Sequence, residues 1–309
     1  MAVLKGFGAY LPSRIVTNQE IGALVGRTPE WILEVSGIEE RRYAAPDESI
    51  ADMALAAAED CLKGAGIAAA DLGMVIVSSG SAERRFPGPA ATVASRLGIA
   101  GVPALDVPMA SAGGLFGMVL ASELTGGHGN VLVVASEKMS AIAAREPMDP
   151  GIAILFGDGA GACVIGTGGG GPAILDSVLH SDGSFAEDLH LEFEAPLSMN
   201  GRSVIMQASR KIPAAIGELL GRNQTPASAI RIFLMHQANQ NLIDRVARAL
   251  EVEPAKFYSN IRTYGNTSSA SMLIAASEWW QSNRLNKDDL ICFAVFGAGF
   301  HWGAMLVEG

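Results

Sequence analysis

The sequence is poor in charged residues and in aromatic residues. Only 17% of its 309 residues are charged and 6% are aromatic, whereas 49% are hydrophobic. This balance excludes a disordered chain, which would have many charges and few apolar residues. The length is enough to bury a large core, either in one extended α/β domain or in two similar halves.

Basic residues are scarcer than acidic ones. The chain has 22 Lys and Arg against 32 Asp and Glu, which gives a net charge of -10. Binding to nucleic acid needs clustered Lys and Arg that neutralise phosphates. The composition therefore argues against nucleic acid as a main partner.

Cysteines are few, and long hydrophobic runs are missing. Cys61, Cys163 and Cys292 form no CxxC pair and no Cys/His cluster, so no metal site is predicted. Their odd number fits a reducing compartment. No apolar run reaches the roughly 18 residues of a membrane helix, and the N-terminal segment is too short and too broken by Gly and Pro for a signal peptide. We expect a cytoplasmic protein without membrane association.

Short apolar runs alternate with Ala-rich helical segments, which is typical of a layered α/β fold. Most runs are apolar throughout, so we expect strands that are covered on both faces. The predicted strands span residues 74–77, 104–107, 131–135, 162–165, 174–179, 232–235, 290–295 and 304–307. Helices are predicted over residues 52–67, 111–127 and 241–252.

A glycine-rich segment, residues 166–173, divides the chain. Glycines followed by a proline indicate a linker, and no helix follows them, as a dinucleotide-binding loop would require. We predict two βα-rich halves, residues 1–167 and residues 168–309.

The first candidate site is the segment DVPMASAGGLFG, residues 106–117. An apolar strand leads into it, and Ser111 is predicted to open a buried helix. A nucleophile at a helix N-terminus lies near the positive end of the macrodipole and near unpaired N–H groups, which can also hold an oxyanion. The local sequence alone favours a simpler interpretation, in which Ser111 is only an N-cap.

Three further segments combine polar residues with small ones. His236, in FLMHQAN, follows an apolar run and is expected at the C-terminal end of a strand, where catalytic residues of α/β sheets gather. Asn266, in YGNTSSAS, lies in a polar turn before a helix, and FGAGFHWG, residues 296–303, is a Gly-rich loop between two strands. Taken singly, each has an ordinary structural interpretation as a core histidine, a helix cap and a hairpin.

Taken together, and in their order along the chain, these segments resemble the motifs of a known family. DVPMASAG, FGDGAGACVIG, HQAN, YGNTSSAS and FGAGFHWG resemble the signature of β-ketoacyl-acyl-carrier-protein synthase III, a family of the thiolase superfamily. The resemblance starts at YLPSRIVTN and reaches the last strand, with a shortening over residues 183–203. It implies an α/β, thiolase-like five-layered fold, built from two pseudo-symmetric halves with mixed sheets around two central helices.

The resemblance also implies roles for single residues. His236 and Asn266 match the catalytic His and Asn that stabilise the charge formed as a malonyl extender loses carbon dioxide. The backbone N–H groups of Ser111 and Ala298 match the oxyanion hole for the acyl carbonyl. Phe86 matches an aromatic residue that reaches across a homodimer and shapes the acyl pocket of the partner.

The position of the nucleophilic cysteine is occupied by Ser111, which is the main departure from the family. A thiol near pKa 8.5 readily becomes a thiolate beside a helix N-terminus and a histidine, whereas a serine hydroxyl needs a general base in contact. His236 is the only clear candidate for that base, and no acid can be placed behind it, since Glu137 and Asp158 cannot be positioned from the sequence.

The implied substrate is an acyl thioester of coenzyme A or of an acyl-carrier protein, with no further cofactor. Trp31, Asn239 and Gly297 match residues that contact coenzyme A or its pantetheine arm. The family's arginines around the coenzyme A phosphates are missing. The matching positions are Val35, Pro150 and Asn241. Loss of these charges should weaken coenzyme A binding.

A basic patch is predicted on the helical segments. It comprises Arg210, Lys211, Arg245 and Arg248 and either contacts an acidic acyl-carrier protein or is a solvated helix face.

Two functional hypotheses follow. In the first, Ser111 accepts an acyl group, which passes to malonyl-acyl-carrier protein or to another acceptor, in fatty acid or polyketide biosynthesis. In the second, the protein is a non-catalytic paralogue that binds acyl thioesters or pairs with an active subunit. Ser111 can also be an engineered replacement of a cysteine. Acyl chain length, acceptor and pathway are not determined by the sequence.

Overall fold

The computed structural model describes residues 1–168 and 170–309, in which strands and helices alternate. The strands are β1 (Ala2–Tyr10), β2 (Arg14–Thr17), β3 (Glu40–Tyr43), β4 (Leu72–Ser78), β5 (Ala104–Val107), β6 (Asn130–Lys138), β7 (Asp158–Thr167), β8 (Ala173–Ser181), β9 (Leu189–His190), β10 (Ser198–Met199), β11 (Ile230–Met235), β12 (Leu290–Gly297) and β13 (His301–Glu308). The α-helices are α1 (Asn18–Val25), α2 (Pro29–Ser36), α3 (Ile50–Ala65), α4 (Pro89–Arg96), α5 (Gly113–His128), α6 (Ser140–Ala143), α7 (Pro150–Ala153), α8 (Gly201–Arg222), α9 (Gln240–Ala249), α10 (Ile261–Tyr264) and α11 (Ser271–Ser282).

Local sequence signals define several helix ends, and α3 shows this most clearly. The hydroxyl of Ser49 accepts from the N–H of Asp52, and the Asp52 carboxylate accepts from the N–H of Ser49. This reciprocal capping satisfies two donors that the helix itself leaves unpaired. At the other end Gly66 adopts a φ of 66°, a left-handed conformation that glycine reaches without steric cost.

The main sheet is mixed and has the strand order β11-β12-β13-β8-β1-β7-β6-β4-β5. Strand β4 runs parallel to β5 and β6, and β11 runs parallel to β12, whereas the other neighbours are antiparallel. The strands that precede residue 168 and those that follow it occupy separate parts of the sheet. They meet where Val3 of β1 pairs with Ala173 of β8. The exact division at residue 168 stays a prediction.

Helices α5 and α11 lie at the centre of the molecule. Both contribute to one buried cluster, to which apolar residues of β4, β6 and β7 and of β11, β12 and β13 also belong. A second cluster packs α3 and α4 on β4, β6 and β7, and a third packs α8 and α9 on β11, β12 and β13. The apolar runs in β4, β6, β7, β11, β12 and β13 are therefore covered on both faces.

The predicted strands all lie within observed strands, but the expectation of two covered faces is wrong for β5 and for β8. In β5 three of four residues are exposed, with Leu105 at 39%, and β8 is only partly buried, with Leu175 at 37%. The edge position alone does not explain β5, because β11 at the other edge is buried beneath α8 and α9. The long helix α8 was not predicted, and it contains Pro213, which is an unfavourable residue inside a helix.

Among the helices in the described part of the chain, none combines the length and the apolar character that a membrane span requires.

Candidate active site

Ser111 lies in a tight turn between β5 and α5. Its φ is 59°, a left-handed conformation that is uncommon for residues other than glycine and that clusters at functional sites. The helix α5 begins at Gly113, two residues later than the sequence predicts, and its N-cap, Ala112, provides no side-chain bond. Ser111 is therefore not the N-cap, and its side chain lies near the positive end of the helix.

Gly297, at the end of β12, allows the turn to approach the second half of the chain. A Cβ atom at this position would lie 2.6 Å from the carbonyl oxygen of Ala110 and 2.9 Å from the Cβ of Ser111. Any other residue here would push the Ser111 turn away. The glycine-rich loop that the sequence presents as a hairpin thus contacts the candidate nucleophile.

The backbone N–H of Ser111 is already engaged. It donates to the Ser268 hydroxyl oxygen at 3.0 Å, and that hydroxyl donates to Glu137 at 3.0 Å. Glu137 thus orients Ser268 with its oxygen toward Ser111. The oxyanion-hole role of the Ser111 N–H stays a prediction, and an acyl oxygen would have to replace Ser268 as its acceptor. Ala298 lines the adjacent cavity, as expected for the second position of that site.

Glu137 is a fully buried acid that the sequence could not position. It accepts from the N–H of Gly80 and from the hydroxyl and N–H of Ser269, in addition to the serines at 79, 81 and 268. It stabilises the loops that carry Ser111 and Asn266 and does not contact His236. Asp158 accepts from Ser140 and Ala44 instead, and burial raises the pKa of its carboxyl.

His236 follows β11, at the C-terminal end of the strand as predicted, and is buried. Its Nδ1 lies 2.6 Å from the hydroxyl oxygen of Ser271, and the same oxygen accepts from the N–H of Gln237 at 3.0 Å. The hydroxyl proton of Ser271 then has Nδ1 as its acceptor. This arrangement favours the tautomer with its proton on Nε2.

Burial of His236 lowers the pKa of its imidazole from 6.5 to about 4. The ring is therefore neutral at neutral pH. A neutral imidazole with its proton on Nε2 donates a hydrogen bond from that nitrogen but cannot accept a proton there. The residue behind His236 is a serine and not an acid. His236 is therefore a hydrogen-bond donor and not the base for Ser111.

Asn266 has a fixed amide orientation. Its Oδ1 accepts from the N–H of Ser268 at 2.9 Å, which leaves the Nδ2 group to donate elsewhere. Asn266 lines the same cavity as His236 and Ser111. The structure therefore brings together the three residues that the sequence nominated from separate segments.

Two cavities meet at Ser111. The first, of about 100 Å³, is mainly apolar and includes Ser111, His236 and Asn266 with residues of α8 such as Val204 and Ile205. The second, of about 220 Å³, extends from Ser111 past Ile142. A substrate can thus reach the hydroxyl from one side while a chain attached to it occupies the other.

Two of the three predicted binding residues line the first cavity. Gly297 and Asn239 line it, and the Asn239 amide donates to the carbonyl of Val35 at 2.9 Å. This bond holds α2, which carries Trp31, against the start of α9, but Trp31 is not among the residues that line the cavity. The ring of Trp31 faces the guanidinium of Arg27 at 5.2 Å.

The predicted basic patch is only partly observed. Arg210, Arg245 and Arg248 are exposed, but Lys211 is not available, because its Nζ lies 3.1 Å from the Asp182 carboxylate and 3.9 Å from the centre of the Trp302 ring. The inclusion of Lys211 is therefore wrong. An ammonium group over an aromatic face and beside a carboxylate is already neutralised within the chain.

Phe86 is 84% exposed, which is unusual for a large apolar side chain. It lines neither of the two cavities beside Ser111. Its exposure is compatible with a contact to another chain, as the resemblance implies.

Comparisons with known proteins cover almost the whole chain. The model described as 3-Oxoacyl-[acyl-carrier-protein (ACP)] synthase III matches residues 105–183, and the model of its C-terminal part matches residues 220–308. The beta-ketoacyl-[acyl-carrier-protein] synthase III of Geobacillus kaustophilus is 36% identical over 98% of this chain and 97% of its own length. The corresponding protein of Listeria monocytogenes is 35% identical over 99% of this chain and 98% of its own length.

Solved structures agree with these relatives. The crystal structure of 3-oxoacyl-[acyl-carrier-protein] synthase III from Aquifex aeolicus superposes with a TM-score of 0.95 at 32% identity and 100% coverage of both chains. The priming β-ketosynthase of the R1128 polyketide biosynthetic pathway has a TM-score of 0.91 at 30% identity, with 100% of this chain and 96% of that chain covered. This chain therefore belongs to the 3-oxoacyl-[acyl-carrier-protein] synthase III family and has its thiolase-like α/β fold.

Proposed function

We propose that the protein is an acyltransferase that takes an acyl group from a thioester of coenzyme A or acyl-carrier protein onto the hydroxyl of Ser111. The acyl group then passes to malonyl-acyl-carrier protein, with loss of carbon dioxide, or to another acceptor. The observation that carries this proposal is that Ser111, His236 and Asn266 line one mainly apolar cavity.

The orientation of the two neutral side chains supports a role in decarboxylation. Nε2–H of His236 and Nδ2–H of Asn266 are the groups not engaged by Ser271 and Ser268. Two donors in an apolar cavity can stabilise the thioester oxygen as it gains negative charge during loss of carbon dioxide. Neither group has to change its protonation state for this purpose.

The serine changes the balance between the two half-reactions. Transfer of an acyl group from a thioester to a serine oxygen is downhill. The resulting oxoester is less electrophilic toward a carbanion than a thioester would be. Carbon–carbon bond formation should therefore be slowed more than transfer to an oxygen, nitrogen or sulfur nucleophile, as in the selection of a starter unit.

Delivery of the substrate is assigned to the first cavity and the surface around α9. The cavity accepts the pantetheine arm, and the exposed Arg245 and Arg248 on α9, with Arg210 on α8, face an acidic carrier protein. The amide of Asn241 donates to the carbonyls of Glu34 and Val35, so this position presents no cation to coenzyme A phosphates. We assign no resident cofactor and place the reaction in the cytoplasm.

A homodimer is part of this proposal. Strand β5 is the outer strand of the sheet and exposes Leu105 at 39% of its surface, and Phe86 is exposed as well. An open sheet edge with unpaired backbone groups readily pairs with a second chain. Pairing of two β5 strands would cover both features and bring Phe86 toward the acyl cavity of the partner.

A transfer experiment tests the function. The protein is loaded with a radiolabelled short acyl group, supplied either on coenzyme A or on acyl-carrier protein, freed of donor and mixed with malonyl-carrier protein or with a free thiol. We expect the protein-bound label to leave faster with an acceptor than in buffer. Failure to load from either donor, over several chain lengths, would favour a non-catalytic protein that only binds acyl thioesters.

A further inference from the structure

The second cavity beside Ser111 contains a histidine, His301, that lies outside the pair His236 and Asn266. His301 is the first residue of β13 and is half-buried. It lines the cavity together with Ser111 and Ala298. Its place in the hairpin decides on which side of the sheet its ring lies.

The register of the hairpin places the imidazole on the side of the nucleophile. His301 pairs directly with Gly297 in the antiparallel ladder of β12 and β13, and side chains of directly paired residues lie on the same face. A side chain on Gly297 would point at Ser111, since its Cβ would lie 2.9 Å from the Cβ of Ser111. The ring of Phe116, on the first turns of α5, also contacts the imidazole, with 5.7 Å between the ring centres.

The imidazole is held on one side only. Nδ1 lies 2.7 Å from the hydroxyl oxygen of Ser181 on β8. Ser181 is exposed. Its hydroxyl can therefore donate a hydrogen bond to water while its oxygen accepts one from Nδ1–H of His301. Gly299, with a φ of 136°, provides the space for the ring, because a Cβ atom there would lie 2.4 Å from Nε2.

The two histidines at Ser111 therefore differ in what they can do. The buried hydroxyl of Ser271 donates a hydrogen bond to Nδ1 of His236. That ring therefore carries its proton on Nε2 and can only donate from this nitrogen. The exposed Ser181 can accept from Nδ1 of His301, which leaves Nε2 of His301 with a free lone pair. Partial burial lowers the pKa of His301, so that the ring is neutral and able to accept a proton at neutral pH.

We propose that His301 is the general base that removes the proton from the Ser111 hydroxyl during acylation. This inference rests on the proposed function, since it assigns the proton of that reaction. The Ser111 oxygen forms a bond to the thioester carbon, and its proton moves to Nε2 of His301. The carbon–sulfur bond then breaks, and the leaving thiolate takes the proton from the imidazolium, which restores the neutral ring.

The test compares His301→Gln in two backgrounds, the protein itself and Ser111→Cys. The rate of acyl-adduct formation is measured by intact mass in single-turnover experiments with acyl-carrier protein. In the serine background we expect the rate to fall by about 100-fold to 10,000-fold, the usual contribution of a general base. In the cysteine background the fall should stay below about tenfold, because a thiol ionises without such help.

A third variant, His180→Gln, is the matched control. His180 lies on β8 next to Ser181, but it lines neither of the cavities beside Ser111, and its Nε2 lies 2.7 Å from the Glu218 carboxylate. Acylation in this variant should remain within about threefold of the unaltered protein, a change of under 1 kcal/mol in barrier.

Several outcomes would overturn the assignment of His301. These are equal losses in both backgrounds, no loss in the serine background, or a larger loss with His190→Gln, since His190 lines the same cavity and donates from Nδ1 to the carbonyl of Glu187. A different result, no adduct on the unaltered protein under any condition, would contradict the proposed function itself and leave no proton for His301 to remove. Thermal unfolding of each variant shows that the fold is retained.

Discussion

Ser111→Cys is expected to raise the rate of condensation with malonyl-carrier protein by at least about tenfold, which corresponds to about 1.4 kcal/mol in barrier height. Nε2–H of His236 and Nδ2–H of Asn266 remain in place, so the extender can still be decarboxylated. The change makes the acyl group a thioester, which is more electrophilic toward the resulting carbanion. It also replaces a hydroxyl by a thiol that a helix N-terminus helps to ionise.

The measurement is the amount of 3-oxoacyl product formed from a loaded acyl group and malonyl-carrier protein. Ser111→Ala is the control and should give no condensation above background. If Ser111→Cys folds normally and forms an acyl adduct but makes no more product than the serine protein, then the nucleophile is not what limits condensation. The assignment of the low condensing capacity to the serine would then be wrong.

Glu137→Gln is expected to slow the acylation of Ser111 by about tenfold to 100-fold, since a misplacement of about 1 Å can reduce a rate by two orders of magnitude. Glu137 is buried and, in the described residues, no Lys or Arg pairs with it. Hydrogen bonds from Gly80 and from the serines at 79, 81, 268 and 269 stabilise its carboxylate. An amide replaces one acceptor by a donor and leaves at least one buried donor unsatisfied, at a cost of about 1–3 kcal/mol.

Asp158→Asn is the matched control for this variant. Asp158 is also a buried acid that accepts from a serine hydroxyl and from backbone N–H groups, but its partners, Ser140 and Ala44, are not among the residues that contact Ser111. We expect both variants to lower the free energy of unfolding, measured by denaturant titration. Only Glu137→Gln should lower the acylation rate per folded molecule, and equal rates for the two would contradict a role of Glu137 in the site.

Much of the fold was predictable because most strands of the main sheet are apolar on both faces. The runs at 131–135 and 162–165 lie within β6 and β7, and the ordered motifs placed Ser111, His236 and Asn266 in one site. An apolar pattern predicts which residues are buried. Their actual burial, however, depends on which helices and strands pack against them. The runs at 104–107 and 232–235 look alike in sequence and both lie in edge strands, yet β11 is buried beneath α8 and α9 whereas β5 is exposed.

The hydrogen-bond partners of the site could not be predicted, because they come from distant parts of the chain. Glu137 and Ser268 are 131 residues apart and meet only through the fold. Ser271 appeared in the sequence as one of several serines in a polar turn, and nothing there indicated that its hydroxyl would bond to His236. A buried acid at the end of an apolar strand, as in VVASEK, is the one signal that could have pointed to Glu137. The sequence shows that Lys211 is charged, but it does not show that its ammonium group already contacts Trp302 and Asp182.

The most direct test of the account is to locate the acyl group by tandem mass spectrometry after brief exposure to acyl-carrier protein. We expect one added acyl mass on the hydroxyl of residue 111, absent from the Ser111→Ala variant. An acyl group found on another side chain, or one that persists in Ser111→Ala, would contradict it.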